Sequence, residues 1–305
     1  MSAQRLCTEV TPQCPIELTT YGYRPNLAGN SILLAVFGIC TLAQLGLGIR
    51  YRLPAFCSVV SIACALECAG YGGRLIMNDN PWSGAGFKLQ IVGLILAPSF
   101  LAAGIYLTLK HLVIVLGPQY SRIKPRLYTW IFISCDSGSI VLQAVGGGIA
   151  ASETKALLNV GDGIIIAGIA FQVATMGVCM LLAVDFAVKL WKSRTRYPTN
   201  GAALEKVRTH TTTTAFYYYL GCMAVAFLAI FIRCIYRLPE MAGGWGNPLM
   251  RNEKEFLILD GAMISIAAVL MTVAHPGIFF PEMRMKNVER QQQRAEKLAS
   301  GSESP

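Results

Sequence analysis

Ionisable side chains inside long apolar runs are the residues of this sequence best suited to chemistry. One run contains CALECAGYGGRLI, in which Glu67, Tyr71 and Arg74 are spaced i, i+4 and i+7. On an α-helix this spacing places the three side chains on one face. If the run crosses a membrane, a charge at its centre costs about 2.5–3.5 kcal/mol on insertion scales. Such a residue therefore indicates a functional role, usually with a partner.

Two further apolar runs carry charges of both signs. FIRCIYRLPE has Arg233, Arg237 and Glu240 at the same spacing, and EKEFLILDGAMIS has Asp260. We expect Arg233 to find acidic partners at its own depth, on neighbouring helices and along its own helix. For Arg74, Arg237 and Glu240 we expect structural ion pairs, because long side chains close to the interface can reach polar surroundings.

Neutral and acidic polar residues occupy two more runs. CDSGSIVLQAVGGG has Asp136 about eight residues, or roughly 12 Å, into its predicted helix, with Gln143 seven positions later and Gln172 in the next run. The predicted ligand-binding or translocation residues are Glu67, Tyr71, Asp136, Gln143, Gln172, Arg233 and Asp260. The structural alternative is that the charged residues lock the bundle and the glutamines form hydrogen bonds between helices.

The elements that position these residues follow from composition. Of 305 residues, 54% are hydrophobic and 14% charged, whereas a soluble domain carries about 25% charged residues. A bilayer core of about 30 Å needs roughly 20 apolar residues per helix, and seven windows qualify: 27–49, 55–77, 88–110, 128–150, 163–187, 215–236 and 256–280. The sequence predicts an all-α polytopic membrane protein, a seven-transmembrane-helix bundle over 27–280.

Charge distribution predicts the orientation of this bundle. Most of the 26 lysine and arginine residues follow the first, third, fifth and seventh windows. By the positive-inside rule, segment 1–26 is then extracellular and the tail 281–305 is cytosolic, the tail being partly disordered. Cys7 and Cys14 would face an oxidising space and could form a disulfide, or remain two unpaired thiols.

Several classes of protein are disfavoured. The net charge of +9 does not indicate nucleic-acid binding, because the basic residues lie between hydrophobic runs. No nucleotide-binding motif is present. An intramembrane metal hydrolase needs clustered ligands, but His111, His210 and His275 form no H-x-x-x-H pair. We therefore predict no enzyme, no cofactor and no metal.

Seven helices also suit receptors and retinal proteins. A Schiff-base retinal protein needs a lysine inside the last window, and Lys254 precedes that window. The last window lacks N-P-x-x-Y and the third lacks an acidic–arginine pair at its end. These absences disfavour the common receptor type. A lipid sensor or receptor that regulates other transporters remains the alternative function.

Six sequence elements in order resemble the fungal lipid-translocating exporter family, the RTA-type membrane proteins. They extend from Tyr21 to Gly277 and read YGYRPNLAGN, ECAGYGGR, APSFLAAGIY, CDSGSIVLQAVGGG, GDGIIIAGIAFQ and FIRCIYRLPEMAGGWGNPLMRNEKEFLILD, followed by AHPG. Phe256 departs from the family pattern, in which tyrosine is common at that position. Gly72 and Gly73 depart from it as well, because a bulkier residue often precedes the arginine.

The resemblance implies a plasma-membrane protein that moves or releases amphipathic lipids and confers stress or drug resistance. Family substrates include sphingoid long-chain bases, toxic sterol-like compounds and, in one branch, porphyrin or haem. A sphingoid base carries a cationic amine on a long apolar chain, and carboxylates at Glu67, Asp136 and Asp260 would suit that amine. The expected partners are membrane lipids and this substrate. The energy source and the oligomeric state stay open.

Overall fold

Seven long helices dominate the part of the chain that the computed structural model describes, residues 7–116, 118–150, 155–196, 213–244 and 246–279. They are α1 (Leu27–Tyr51), α2 (Pro54–Asp79), α3 (Gly84–Leu116), α4 (Pro125–Ala150), α5 (Lys155–Arg196), α6 (Thr213–Ala242) and α7, which begins at Glu253. All seven are long and apolar enough to cross a membrane. The predicted all-α class and the seven spans are confirmed. Segment 281–305 and His210 lie outside the described residues.

The helices pack as a ring in chain order. Each helix contacts its successor, α1 closes the ring against α7, and α3 also contacts α6 and α7. Large apolar side chains point outward, among them Leu42 (73% exposed), Ile49 (83%) and Leu181 (68%). A continuous apolar exterior of this kind marks a membrane-facing surface. The polar side chains of the apolar runs therefore face the interior.

Two helices are longer than the sequence predicts. The window 163–187 lies within α5, which extends over 42 residues, or about 63 Å at 1.5 Å per residue. The window 88–110 lies within α3, which has 33 residues. The added turns of α5 carry polar residues such as Lys155, Asp162 and Lys192, which a hydropathy window excludes. The added C-terminal residues of α3, HLVIVL, are mostly apolar and exceed the length of one bilayer crossing, on which the window was based.

The last helix changes its hydrogen-bonding pattern along its length. It starts with an α-helical turn at Glu253–Glu255, continues as a π-helix over Phe256–Ala262, and is α-helical over Met263–Val273. A short helix, α8, follows at Pro276–Phe279. The π-helix holds Asp260 in a buried position. Such segments are rare and occur frequently at functional sites.

Glycines allow α4 and α5 to approach closely. A Cβ built on Gly146 would lie 2.8 Å from the carbonyl oxygen of Gly161, and one built on Gly161 would overlap the backbone nitrogen of Ala150. Small residues are enriched at such contacts in membranes because they bring backbones together. The α4–α5 pair is therefore fixed by close backbone packing, and it carries Asp136, Gln143 and Gln172.

We expect Gly161→Ala to destabilise the protein by about 1–3 kcal/mol, the usual effect of overpacking. Gly163→Ala is the matched control on the same helix, because a Cβ there meets nothing within 4 Å. Removing that glycine should be neutral or slightly stabilising. Thermal unfolding in detergent measures both effects. Equal midpoints for the two variants would contradict the close contact.

Candidate functional site

A buried charge cluster joins α6 to α7. It consists of Arg233, Arg237, Glu240 and Asp260. Oδ1 of Asp260 lies 3.0 Å from Nε of Arg233 and 3.0 Å from Nε of Arg237. Nη1 of Arg237 also donates to Oε2 of Glu240 at 2.6 Å. Arg233 additionally donates from Nη2 to the carbonyl oxygen of Leu94 on α3. Asp260 is thereby neutralised by two arginines and acts as the central ion-pair partner.

Glu67 and Tyr71 lie at the edge of this buried charge cluster. Glu67 is fully buried, and neither of its carboxylate oxygens has a hydrogen-bond partner among the described residues. It is within electrostatic range of Arg233, Asp260 and Arg237. The ring of Tyr71 stacks on Phe37 with centroids 5.6 Å apart. The structure thus brings four of the predicted ligand-site residues together: Glu67, Tyr71, Arg233 and Asp260.

Arg74 organises the end of the bundle that the N-terminal segment covers. Its Nε donates to Oδ1 of Asn30 at 2.7 Å, and its Nη2 donates to Tyr23 Oη at 3.1 Å. Nη2 also lies 2.9 Å from Oε1 of Glu253, and the guanidinium stacks 4.2 Å from the Phe256 ring centroid. The sequence analysis missed Glu253 because it lies just before the apolar window.

The N-terminal segment 7–25 is held over Arg74 by aromatic residues. Tyr21 is buried, and its Oη accepts a hydrogen bond from Nε2 of Gln90 at 2.9 Å. Burial raises the pKa of Tyr21 and of Tyr23 above the usual value for tyrosine. Both phenols therefore remain neutral beside the Arg74 guanidinium.

A disulfide joins Cys7 to Cys14 within the same segment, with Cα atoms 5.8 Å apart. The indole nitrogen of Trp82 donates to the carbonyl oxygen of Cys14 at 3.1 Å, and Nδ2 of Asn80 donates to that of Thr8 at 2.8 Å. The disulfide loop is therefore anchored on the connection between α2 and α3.

Arg74→Lys is expected to destabilise the protein by about 1.5–3 kcal/mol. Lysine cannot reproduce the forked contacts of the guanidinium, so at least one hydrogen bond to a charged group is lost. Limited proteolysis of segment 7–25 and thermal unfolding would both report the change. Arg126→Lys is the matched control, because Arg126 is exposed in the first turn of α4, has no ion pair among the described residues, and should tolerate lysine without measurable effect. Equal sensitivity of the two variants would contradict the organising role.

Asp136 occupies a separate polar site at the middle of α4. Its carboxylate accepts a hydrogen bond at Oδ2 from Tyr106 Oη on α3, at 3.0 Å. Oδ1 has no hydrogen-bond partner in the part of the chain that the structure describes, and the side chain is almost fully buried. No lysine or arginine of the described chain lies within ion-pair distance of it. Asp136 is thus a buried carboxylate that is not paired with any described cation.

The two predicted glutamines link three helices. Nε2 of Gln143 donates to Oε1 of Gln172 at 3.3 Å, and Nε2 of Gln172 donates to Oγ of Ser99 at 2.9 Å. A pocket between α3, α4, α5 and α6 is lined by both glutamines together with Arg233 and Arg237. Asp136 lies seven residues before Gln143, which is about 10 Å along α4. The glutamines therefore lie between the buried charge cluster and Asp136.

A second pocket adjoins the first at Met241. It is lined by Asp162, Ile165, Gly244 and Met250 as well, where α5 begins and α6 ends. The two pockets share Met241. Met241 therefore lies between the two pockets, and Gln143 lines the first of them.

Sequence analysis missed the partners on α3. Ser99 and Tyr106 are seven residues apart in APSFLAAGIY, so their common helical face was a usable signal. Among the described residues, no group of three or more His, Cys, Asp or Glu side chains is placed to hold a metal ion. The polar side chains described above include ion pairs, linked amides, a carboxylate–phenol pair and Glu67, which has no described partner.

Comparison with known proteins agrees with this architecture. Residues 60–283 match the family model described as RTA1 like protein. The chain is 32% identical over 284 residues to the sphingoid long-chain base transporter RSB1 of Saccharomyces cerevisiae, covering 85% of this chain and 74% of that protein. It is 24% identical over 297 residues to Protein RTA1 of the same yeast, covering 89% of each chain.

A third relative is Protoporphyrin uptake protein 1 of S. cerevisiae, which is 26% identical over 220 residues, covering 71% of this chain and 66% of that protein. No solved structure matches the chain. Two of the three relatives are named for transport or uptake, in agreement with the prediction that the chain is not an enzyme. The chain is an integral membrane protein that belongs to the RTA1-like family.

Proposed function

We propose that the protein translocates amphipathic lipids with a cationic amine, the sphingoid long-chain bases, and that Asp136 binds the amine. One observation carries the proposal. Asp136 is buried at the middle of α4, and among the described residues one of its oxygens has no hydrogen-bond partner and no cation lies within ion-pair distance of it. A buried carboxylate is stabilised by a paired cation. The relative that is 32% identical and named a sphingoid long-chain base transporter supports this substrate class.

The other buried acids suit an amine less well. Asp260 already lies 3.0 Å from the guanidinium nitrogens of Arg233 and Arg237. Glu67 lies within electrostatic range of the same arginines, which would repel an incoming ammonium group. Asp136 has a phenol, Tyr106, as its neighbour instead. The phenol holds Oδ2 and leaves Oδ1 to accept a hydrogen bond from the ammonium group.

The pocket lined by Gln143 and Gln172 lies about two helical turns from Asp136 along α4, and Asp136 itself does not line it. In this pocket between α3, α4, α5 and α6, Gln143 and Gln172 offer amide groups to the hydroxyls of a sphingoid base. The hydrocarbon chain would lie between helices or in the surrounding lipid, where no polar contact is needed. Sterol-like toxic compounds with an amine share the same chemistry.

The charge distribution supports an outside N-terminus, a membrane domain over 27–280 and a cytosolic tail over 281–305. In this orientation the second pocket, lined by Asp162 and Gly244, lies on the extracellular side. The resemblance to the exporter family favours the plasma membrane as the location. The protein would then move toxic amphipaths between leaflets and protect the cell from them.

Purified protein in liposomes tests the proposal. A fluorescent sphingoid base is placed in the outer leaflet, and its loss of accessibility to dithionite is followed over time. Protein-dependent movement is expected, and protein-free liposomes give the background rate. Saturable binding of the base without any movement would instead identify a lipid sensor that acts through another transporter.

A further inference from the structure

Glu67 is a buried acid for which the described residues provide no hydrogen-bond partner. It lies at the midpoint of α2 and is fully buried, and neither carboxylate oxygen accepts a hydrogen bond from a described group. Among the described residues, no basic side chain lies within ion-pair distance of it. An ionised carboxylate held in this way would be strongly unfavourable. A neutral carboxyl group at the same place avoids this unfavourable free energy.

The charges of the residues around Glu67 also favour a neutral carboxyl group. The buried charge cluster contains two arginines, Arg233 and Arg237, and two acids, Glu240 and Asp260, all paired with one another. These four charges sum to zero. An ionised Glu67 would add one uncompensated negative charge to an interior that excludes water.

We propose that Glu67 is a proton-binding site that couples lipid movement to a proton gradient, and that the structure shows its protonated form. The coupling rests on the proposed translocation of lipids, whereas the protonation of Glu67 does not depend on that function.

Release of the proton would change the partner of Arg233. The new carboxylate of Glu67 attracts Arg233, which now pairs with Asp260 at 3.0 Å. Moving Arg233 towards α2 would weaken the link between α6 and α7 and the contact with Leu94 on α3. Asp260 lies in the π-helix Phe256–Ala262, a type of segment frequent at functional sites. Proton binding and release would thus select between two arrangements of α6.

Few other groups around Glu67 can gain or lose a proton near neutral pH. Arginine stays charged at any accessible pH, Asp260 is held between two arginines, and Gly93 and Leu94 of α3, which pack against Leu66 and Gly70 of α2, do not titrate. Cysteine thiols and the tyrosine phenol ordinarily titrate above neutral pH. The titratable and charged neighbours are Asp260 from α7, Arg233 and Arg237 from α6, Cys40 from α1, and Cys64, Cys68 and Tyr71 from α2 itself.

Infrared spectroscopy of the purified protein tests the protonation directly. At pH 7 the C=O stretch of a protonated carboxyl group is expected in the unmodified protein and should be reduced in Glu67→Gln. Glu17→Gln is the matched control, since Glu17 is exposed in the N-terminal segment, and should leave the band unchanged. An identical band in the unmodified protein and in Glu67→Gln would show that Glu67 is ionised and would overturn the proposal.

Liposomes with an imposed pH gradient test the coupling. Movement of the fluorescent sphingoid base should be at least tenfold faster with the gradient than without it, and this ratio should fall to about 1 in Glu67→Gln. A ratio near 1 in the unmodified protein, or acceleration by a sodium gradient alone, would overturn the coupling. If no lipid moves under any condition, the proposed translocation fails, and the infrared result still decides whether Glu67 holds a proton.

Discussion

Asp260→Asn is expected to lower the free energy of unfolding by about 3–5 kcal/mol, the range measured when one member of a buried ion pair is removed. The change leaves Arg233 and Arg237 buried, at 3% and 10% side-chain exposure, without the carboxylate that both contact. Glu240 still pairs with Arg237, so Arg233 bears most of the loss. The π-helix that contains Asp260 should also become less stable.

The same chemical change at an exposed position provides the control. Asp185 pairs with Arg122 and Lys189, and its side chain is 28% exposed. Water weakens this partly exposed pair, although Arg122 contacts both carboxylate oxygens, so Asp185→Asn should lower the free energy of unfolding by no more than about 1 kcal/mol. Thermal unfolding in one detergent measures both variants. Similar losses in the two would contradict the central position of Asp260.

Asp136→Asn is expected to slow movement of a sphingoid base at least 30-fold without destabilising the protein. Removing the charged partner of a buried ammonium group costs about 2 kcal/mol or more, which corresponds to a factor of roughly 30. The variant keeps a side chain of the same shape that can still bond with Tyr106 Oη. Because Asp136 has no ion pair among the described residues, asparagine removes none, and stability should stay about equal. The liposome assay and thermal unfolding measure the two quantities.

Tyr106→Phe distinguishes the effect of positioning the Asp136 carboxylate from the effect of its charge. It removes the hydroxyl that donates to Oδ2 of Asp136 at 3.0 Å and keeps the carboxylate. A smaller loss of movement than in Asp136→Asn is expected, on the order of the tenfold that one hydrogen bond supplies. If Asp136→Asn instead unfolded as readily as Asp260→Asn, Asp136 would be a structural residue, and the proposed site would be wrong.

Much of the fold was predictable because a helix needs roughly 20 apolar residues to cross the bilayer. Seven apolar windows of sufficient length correspond to the seven long helices. The pairing of Arg233 with an acid at its own depth was also predictable, because unpaired charges are unfavourable in lipid. Asp260 on α7 is that acid.

Other features depend on contacts that a single sequence does not encode locally. Glu253 pairs with Arg74 although 179 positions separate them, and hydropathy places Glu253 outside the membrane window. The π-helix around Asp260 has the same residue pattern as an α-helix. The isolation of Asp136 from every described arginine follows from how α4 and α6 pack within the ring. Spacing along one helix cannot show this isolation.

The most direct test of the central claim compares a sphingoid base with its N-acetylated form, which has no positive charge, in liposomes that carry either the unmodified protein or Asp136→Asn. The account predicts that the unmodified protein moves the amine at least 30-fold faster than the acetylated lipid, and that Asp136→Asn moves both at the same slow rate. Equal rates for the two lipids in the unmodified protein, or an undiminished preference for the amine in Asp136→Asn, would contradict recognition of the amine by Asp136.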